Sequence, residues 1–176
     1  MENKNLISEV ISALKDAHND PQQNQGRNKS TLSFYEHLQL LGKKLALKSY
    51  HGKLKGGGEW LWDFVWSDES ENDWKDFHEL ILVCESEWDQ YFDALLMDFQ
   101  KLMVAKANIK LFICQGSNIS NNDIFIKLEN RIPPKLKSEN ETWILFISDN
   151  KDKPTYWVWN YNKKSKDPNI INEEHV

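Results

Sequence analysis

Apolar residues recur along this chain with two periods, and the switches between them predict its elements. Leu6, Val10 and Leu14 share one helical stripe, which predicts a first helix from about Lys4 to Ala17. The stretch HNDPQQNQGRNKS is polar, holds Pro and Gly, and reads as a loop. Ser30 or Thr31 can cap a second helix running to about Tyr50, with Phe34, Leu38, Leu41 and Leu45 on one face. The pattern then turns strand-like. A short strand around Lys53–Lys55 leads through Gly56, Gly57 and Gly58 into EWLWDFVW, whose Trp, Phe and Val favour strands. SDESENDWKDF is an acidic loop, and ELILVCESEW is apolar enough for a central strand. Phe92, Leu95, Leu96, Phe99, Leu102 and Met103 predict a helix from about Asp89 to Ala107. IKLFICQ is a buried strand. GSNISNND offers caps for a helix over about Asn121–Asn130, halted near Pro133 and Pro134. TWILFIS and TYWVWNY are strands joined by DNKDKP, and the tail after Lys163 is polar.

The order α, α, β, β, β, α, β, α, β, β describes an α/β protein. A hairpin or meander opens the sheet and strand–helix–strand units extend it, which predicts a mixed sheet with helices on both faces. Residues 1–30 read as an N-terminal helix and loop, 31–163 as a single domain, and 164–176 as a tail.

Composition bounds the class. A length of 176 residues suits one domain, and 40% hydrophobic residues with eight Trp can fill its core. No apolar run approaches the roughly 18 residues of a membrane span, and MENKNLISEV lacks a secretory pattern. Cys84 and Cys114 lie in apolar strands without other ligands at metal spacing, as expected of buried thiols in a reducing cytoplasm. The net charge of -5 argues against strong nonspecific nucleic-acid binding. Against that average, Lys43, Lys44, Lys48, Lys53 and Lys55 fall between Gly42 and Gly58 with no acid among them. They read either as a solvated face or as a local anion-binding edge.

Strand alternation sharpens the acidic positions. Glu59, Leu61, Asp63 and Val65 share one face of the second strand; Ile81, Val83, Glu85 and Glu87 share one face of the third. Both faces are partly apolar, and a carboxylate buried there needs a partner or a cation. Paired as a hairpin, the strands bring Asp63 to Glu85, and hard oxygen ligands suit Mg²⁺ or Mn²⁺. Asp98 and Lys101, three apart on the next helix, add a cation that can neutralise charge on a phosphate. The plain alternative is that acids near strand ends are solvated and Lys101 is a surface residue.

WLWDFVW, ESEW at Glu85–Trp88 and DFQKL at Asp98–Leu102 stand in an order that resembles the restriction-endonuclease-like, or PD-(D/E)XK, nuclease superfamily. The resemblance covers roughly residues 31 to 150 and is nearest to small bacterial members with ESEW and DFxKL motifs. It implies a Mg²⁺-dependent nuclease that hydrolyses phosphodiester bonds. Asp63, Glu85 and Glu87 would be catalytic and metal-binding, with Glu36 and Gln115 as accessory residues. Glu87 stands where the family usually has Lys, and some members move that Lys to the neighbouring helix, where Lys101 would replace it. The lysines from Lys43 to Lys55 would steer phosphates.

The second reading is a catalytically degenerate nuclease fold acting as an immunity or regulatory module that binds a protein. The net charge, the acidic loop Asp68–Asp76, and Trp157 and Trp159 as core or interface anchors favour it. Nucleic acid is the expected partner of an active enzyme and a protein that of the module. Many nucleases of this fold act as homodimers.

Overall fold

Among the described residues, seven strands form one sheet in which spatial order follows chain order, β1 to β7. The computed structural model describes residues 3–21, 27–51, 61–69, 77–116, 118–148, 153–164 and 166–174. Its elements are α1 (Asn3–His18), α2 (Arg27–Lys44), β1 (Lys48–Tyr50), β2 (Phe64–Glu69), β3 (Phe77–Glu87), α3 (Phe92–Met103), β4 (Ile109–Cys114), α4 (Asn121–Glu129), β5 (Thr142–Ile147), β6 (Thr155–Tyr161) and β7 (Pro168–Glu174). β1, β2 and β3 pair antiparallel. β3, β4 and β5 pair parallel, with α3 and α4 as the crossovers. β6 and β7 return antiparallel. This is the mixed sheet that the alternating pattern predicts.

Helices cover both faces. α1 and α2 press Val10, Leu14, Phe34 and Leu38 onto Phe64, Trp66, Leu82, Cys84 and Leu111. α3 and α4 press Leu95, Phe99, Ile124 and Leu128 onto Val65, Val83, Phe112 and Leu145. β4 and β5 are therefore buried along their whole length, which explains sequences that are apolar apart from Lys110 and Thr142. Trp157 and Trp159 belong to this second core. Trp157 stacks on Phe125 at 5.0 Å, so the interface role is set aside for both.

The boundaries differ from the sequence expectation in informative ways. α2 ends at Lys44, not Tyr50. Ala46 takes φ 58°, Leu47 N–H donates to Gly42 O at 2.8 Å and Ala46 N–H donates to Lys43 O at 3.2 Å. That is a Schellman C-cap with alanine where glycine is usual, so no glycine marked the stop. Gly42 also allows close packing, since a Cβ there would lie 2.5 Å from Trp66 Nε1. The first strand is Lys48–Tyr50, and the stretch expected as Lys53–Lys55 lies outside the described residues.

β2 begins five residues after the expected Glu59 and runs on through Ser67, Asp68 and Glu69, which read as loop. A bulge at Ile81 shifts the register, and Ile81 packs with the α1–α2 core while Leu80 packs with the α3–α4 core. Upstream of that bulge simple alternation fails. The polar tail contains β7, an edge strand whose Ile170 and Ile171 are each 43% exposed. Its short apolar content gave no period-2 signal, and pairing with β6 supplies the order. α1, read as a separate leading segment, packs into the first core. No helix among the described residues is long and apolar enough to cross a membrane.

Candidate active site

β3 outruns β2, and the residues at that step make the site. Phe64 opens β2 opposite Cys84, so Asp63 lies one position outside the ladder, level with Glu85. The chain bends over residues 61–63. Asp63 therefore escapes the alternation expected of it: its Oδ2 accepts hydrogen bonds from the N–H and the hydroxyl of Ser86, each at 3.0 Å. The Ser86 hydroxyl in turn meets the Tyr35 hydroxyl of α2 at 2.8 Å.

Glu85 is fully buried on the face that α3 covers. Its Oε2 accepts from Lys101 Nζ at 3.0 Å, while its buried Oε1 has no hydrogen-bond partner among the described residues. Burial, then the charge of Asp63, pushes the Glu85 carboxyl up to about 7, with Lys101 pulling the other way. Lys101 Nζ also contacts Asp98 Oδ1 at 2.7 Å, the one-turn pairing expected from the spacing of three. Burial opposes the Lys101 charge, but Asp98 and Glu85 together hold the ammonium well above its ordinary range. Trp62 Nε1 donates to Lys101 O at 3.2 Å, which lays the indole against the last turn of α3.

Glu87 follows Glu85 on the same face but is turned elsewhere. Its Oε1 accepts from the N–H groups of Trp88 and Asp89, each at 2.7 Å. Burial raises its pKa, as does the facing Asp98 carboxylate, against the two N–H donors. Among the described residues, no three Asp, Glu, His or Cys side chains come together in a way that could hold a metal ion. The expected three-carboxylate cage of Asp63, Glu85 and Glu87 is therefore not formed. Two carboxylates remain, Asp63 and Glu85, with one buried oxygen unpaired. That donor set fits Mg²⁺, which keeps several waters and often uses only one or two protein carboxylates.

The accessory candidates divide. Gln115 N–H donates to Glu87 O at 3.3 Å, which places its backbone beside the end of β3. No hydrogen bond or ion pair joins Glu36 to the cluster; its neighbour Tyr35 makes the link from α2 instead. Of these lysines, the described ones, Lys43, Lys44 and Lys48, do not gather at the site. Lys48 stands opposite Ser67, and Ser67 opposite Leu80, five residues along β3 from Glu85, a separation of about 16 Å. Lys48 pairs with Glu69 at 3.6 Å and Lys44 with Glu9 at 3.0 Å. Lys43 lines a groove of about 490 Å³ beside Lys48 and Glu69. Lys53 and Lys55, like residues 70–76 of the acidic loop, lie outside the described residues. Cys84 and Cys114 are free and buried, and burial pushes both thiols up, as expected for inert packing groups.

No protein-family model matches the chain, and no curated protein matches it.

The functional conclusion must therefore come from the site. What sequence reasoning missed is Ser86 and Tyr35. Ser86 sits inside the ESEW motif on the face opposite Glu85, and nothing in the spacing tells that Asp63 reaches round to it. Chemically, the cluster places a buried acid of raised pKa, a second acid held by two donors, and a protonated lysine within one short span. Paired acids of this kind suit a cation in general, and a neighbouring ammonium stabilises negative charge.

Proposed function

We propose that this protein is a Mg²⁺- or Mn²⁺-dependent nuclease that hydrolyses phosphodiester bonds on a restriction-endonuclease-like core. The observation that carries the reading is Glu85, fully buried, with one oxygen held by Lys101 and the other unpaired. A buried carboxylate with an orphaned oxygen beside a second acid is costly, and a bound cation relieves that cost. The order α2, β1, β2, β3, α3, β4, with two antiparallel pairings and then a parallel one, supports the family resemblance.

Asp63 and Glu85 would hold the metal, which when bound polarises a phosphoryl oxygen and supplies an activated water. Lys101, from the helix rather than from position 87, aims its ammonium at the same cluster and stabilises charge developing on the phosphate. Glu87 and Gln115 form the rim, with Glu87 restraining Asp98. Glu36 and the lysines at the far end of the sheet take no part in this step.

A second reading, a catalytically degenerate fold that binds a protein, is favoured by two observations. Lys101 already bridges Glu85 and Asp98 at 3.0 and 2.7 Å and supplies an internal countercharge. Leu61 and, around α3, Tyr91, Met97 and Val104 are exposed apolar or aromatic side chains that suit a protein partner.

The test is a Mn²⁺ or Mg²⁺ titration followed by Trp fluorescence, with Trp62 against α3 as a local reporter, alongside cleavage of single- and double-stranded DNA and RNA. The nuclease reading expects saturable quenching and metal-dependent cleavage in the parent, both abolished in Asp63→Ala. A parent that neither responds to metal nor cleaves rules it out in favour of the binding module.

A further inference from the structure

Asp63 stands outside any strand, in a bend, and yet its carboxylate is the group the proposed chemistry needs fixed. Two donors fix it, and both come from Ser86: the backbone N–H and the hydroxyl, at 3.0 Å each to the same oxygen, Oδ2. A serine hydroxyl has one hydrogen and two lone pairs. With its hydrogen given to Asp63, the Ser86 oxygen can only accept from Tyr35, 2.8 Å away. The direction of the chain is thereby set, from Tyr35 O–H to Ser86 O–H to Asp63 Oδ2. Hydrogen bonds in such a row polarise one another.

The tyrosine is itself held. Its ring is buried, with His51 at 5.5 Å and Phe64 at 5.4 Å between ring centres. α2 therefore presents the hydroxyl at a fixed point above the end of β2.

We infer that Tyr35 and Ser86 form a positioning relay that fixes the Asp63 carboxylate beside Glu85, and that α2 governs the site through this relay. Neither residue touches substrate or metal; they act through Asp63. The inference rests on the reading of Asp63 as a functional acid, but the relay has a readout that needs no metal.

The variants are Tyr35→Phe, Ser86→Ala and Ser86→Thr, the last retaining the hydroxyl. The first measurement is amide hydrogen exchange of Ser86 by NMR in the metal-free protein. The relay predicts that Ser86 exchange rises fivefold or more in Tyr35→Phe, because Asp63 is then held less firmly, while Val83 and Phe112 are unchanged. The second is Mn²⁺ affinity by calorimetry. It should weaken about tenfold in Ser86→Ala and threefold or more in Tyr35→Phe, and recover in Ser86→Thr. Unchanged Ser86 exchange in Tyr35→Phe overturns the relay, even if the melting temperature falls, since a merely packed tyrosine lowers stability alone. Intact Mn²⁺ affinity in both Tyr35→Phe and Ser86→Ala, in a parent that binds Mn²⁺, also overturns it. Faster Ser86 exchange in a parent that binds no Mn²⁺ upholds the relay and instead removes the cation reading of the site.

Discussion

Glu85 and Lys110 are buried charges of opposite sign on one face of the same sheet. Lys110 stands opposite Val83, two residues along β3 from Glu85. Lys110 is 1% exposed and pairs with Glu141 at 2.8 Å, with its ammonium over the Trp143 ring at 4.8 Å. The ion pair and the ring's negative face both favour its charge. Glu85 has one ionic partner, one unpaired oxygen, and like charges on Asp63 and Asp98 working against it. Burial shifts both groups toward neutrality, lowering Lys110 and raising Glu85. Only at Glu85 is the neighbourhood arranged to need something more. A buried charge whose partners are complete is part of the scaffold, while one left incomplete marks a place for a ligand.

Four experiments test that contrast. Lys110→Ala should be the most damaging, costing about 2–5 kcal/mol in chemical denaturation at pH 7, because it empties a buried side-chain volume and leaves the half-buried Glu141 without its partner. A loss under about 1 kcal/mol there would break the contrast from the scaffold side. Glu85→Gln should act through pH. The Glu85 carboxyl is raised from 4.5 to about 7 on folding, so the native state binds more protons in that window. Parent stability then falls, relative to Glu85→Gln, as pH rises from about 4.5 to 7, by on the order of 3 kcal/mol. Equal pH profiles for the two proteins would show that Glu85 is no more strained than a surface acid.

Mn²⁺ sharpens the contrast further. At about ten to a hundred times its Kd, it should stabilise the parent by roughly 1.4–2.7 kcal/mol, seen as a higher melting temperature, and leave Glu85→Gln unmoved. Stabilisation of both variants alike would point to binding elsewhere. The smallest effect calibrates the rest at a position with no charge. Ala46→Gly should add about 0.5–1 kcal/mol, because Ala46 takes φ 58° at the α2 C-cap.

The layered fold was legible because period and length carry it. β4, β5 and the α3 stripe read almost to the residue, since a strand buried on both faces is a nearly continuous apolar run, interrupted in β4 by Lys110. The Asp98–Lys101 pairing was legible from helical spacing, and so was the approach of Asp63 to Glu85 from strand order. The rest failed where the backbone departs from a regular element. The bend at 61–63 turns Asp63 to Ser86, the bulge at Ile81 inverts the faces of Leu80 and Ile81, and Ala46 ends a helix without the usual glycine. Each depends on tertiary pairing that no local pattern records. Glu87 was in phase with Glu85 yet turned to the N–H groups of Trp88 and Asp89, because a strand end offers unpaired donors to a flexible acid. The lysine run was placed by composition alone, and the register carries Lys48 to the far end of the sheet.

The sheet's strand order has a kinetic consequence. Because every strand lies beside its neighbours in sequence, no pairing requires the chain to cross another strand or return over a long distance. Each pairing joins strands consecutive in the chain, and the entropic cost of closing the span between them grows only slowly with its length. The long-range closures come instead from helix docking, since α1 packs against β5 and β6 and His18 Nδ1 meets the Ser148 hydroxyl at 2.9 Å. Every residue of the Tyr35–Ser86–Asp63 relay and of the Glu85–Lys101 pair lies before Leu102, yet α2 packs Phe34 on Phe146 and α3 packs Phe99 on Trp143, so the firm packing of the site waits for β5.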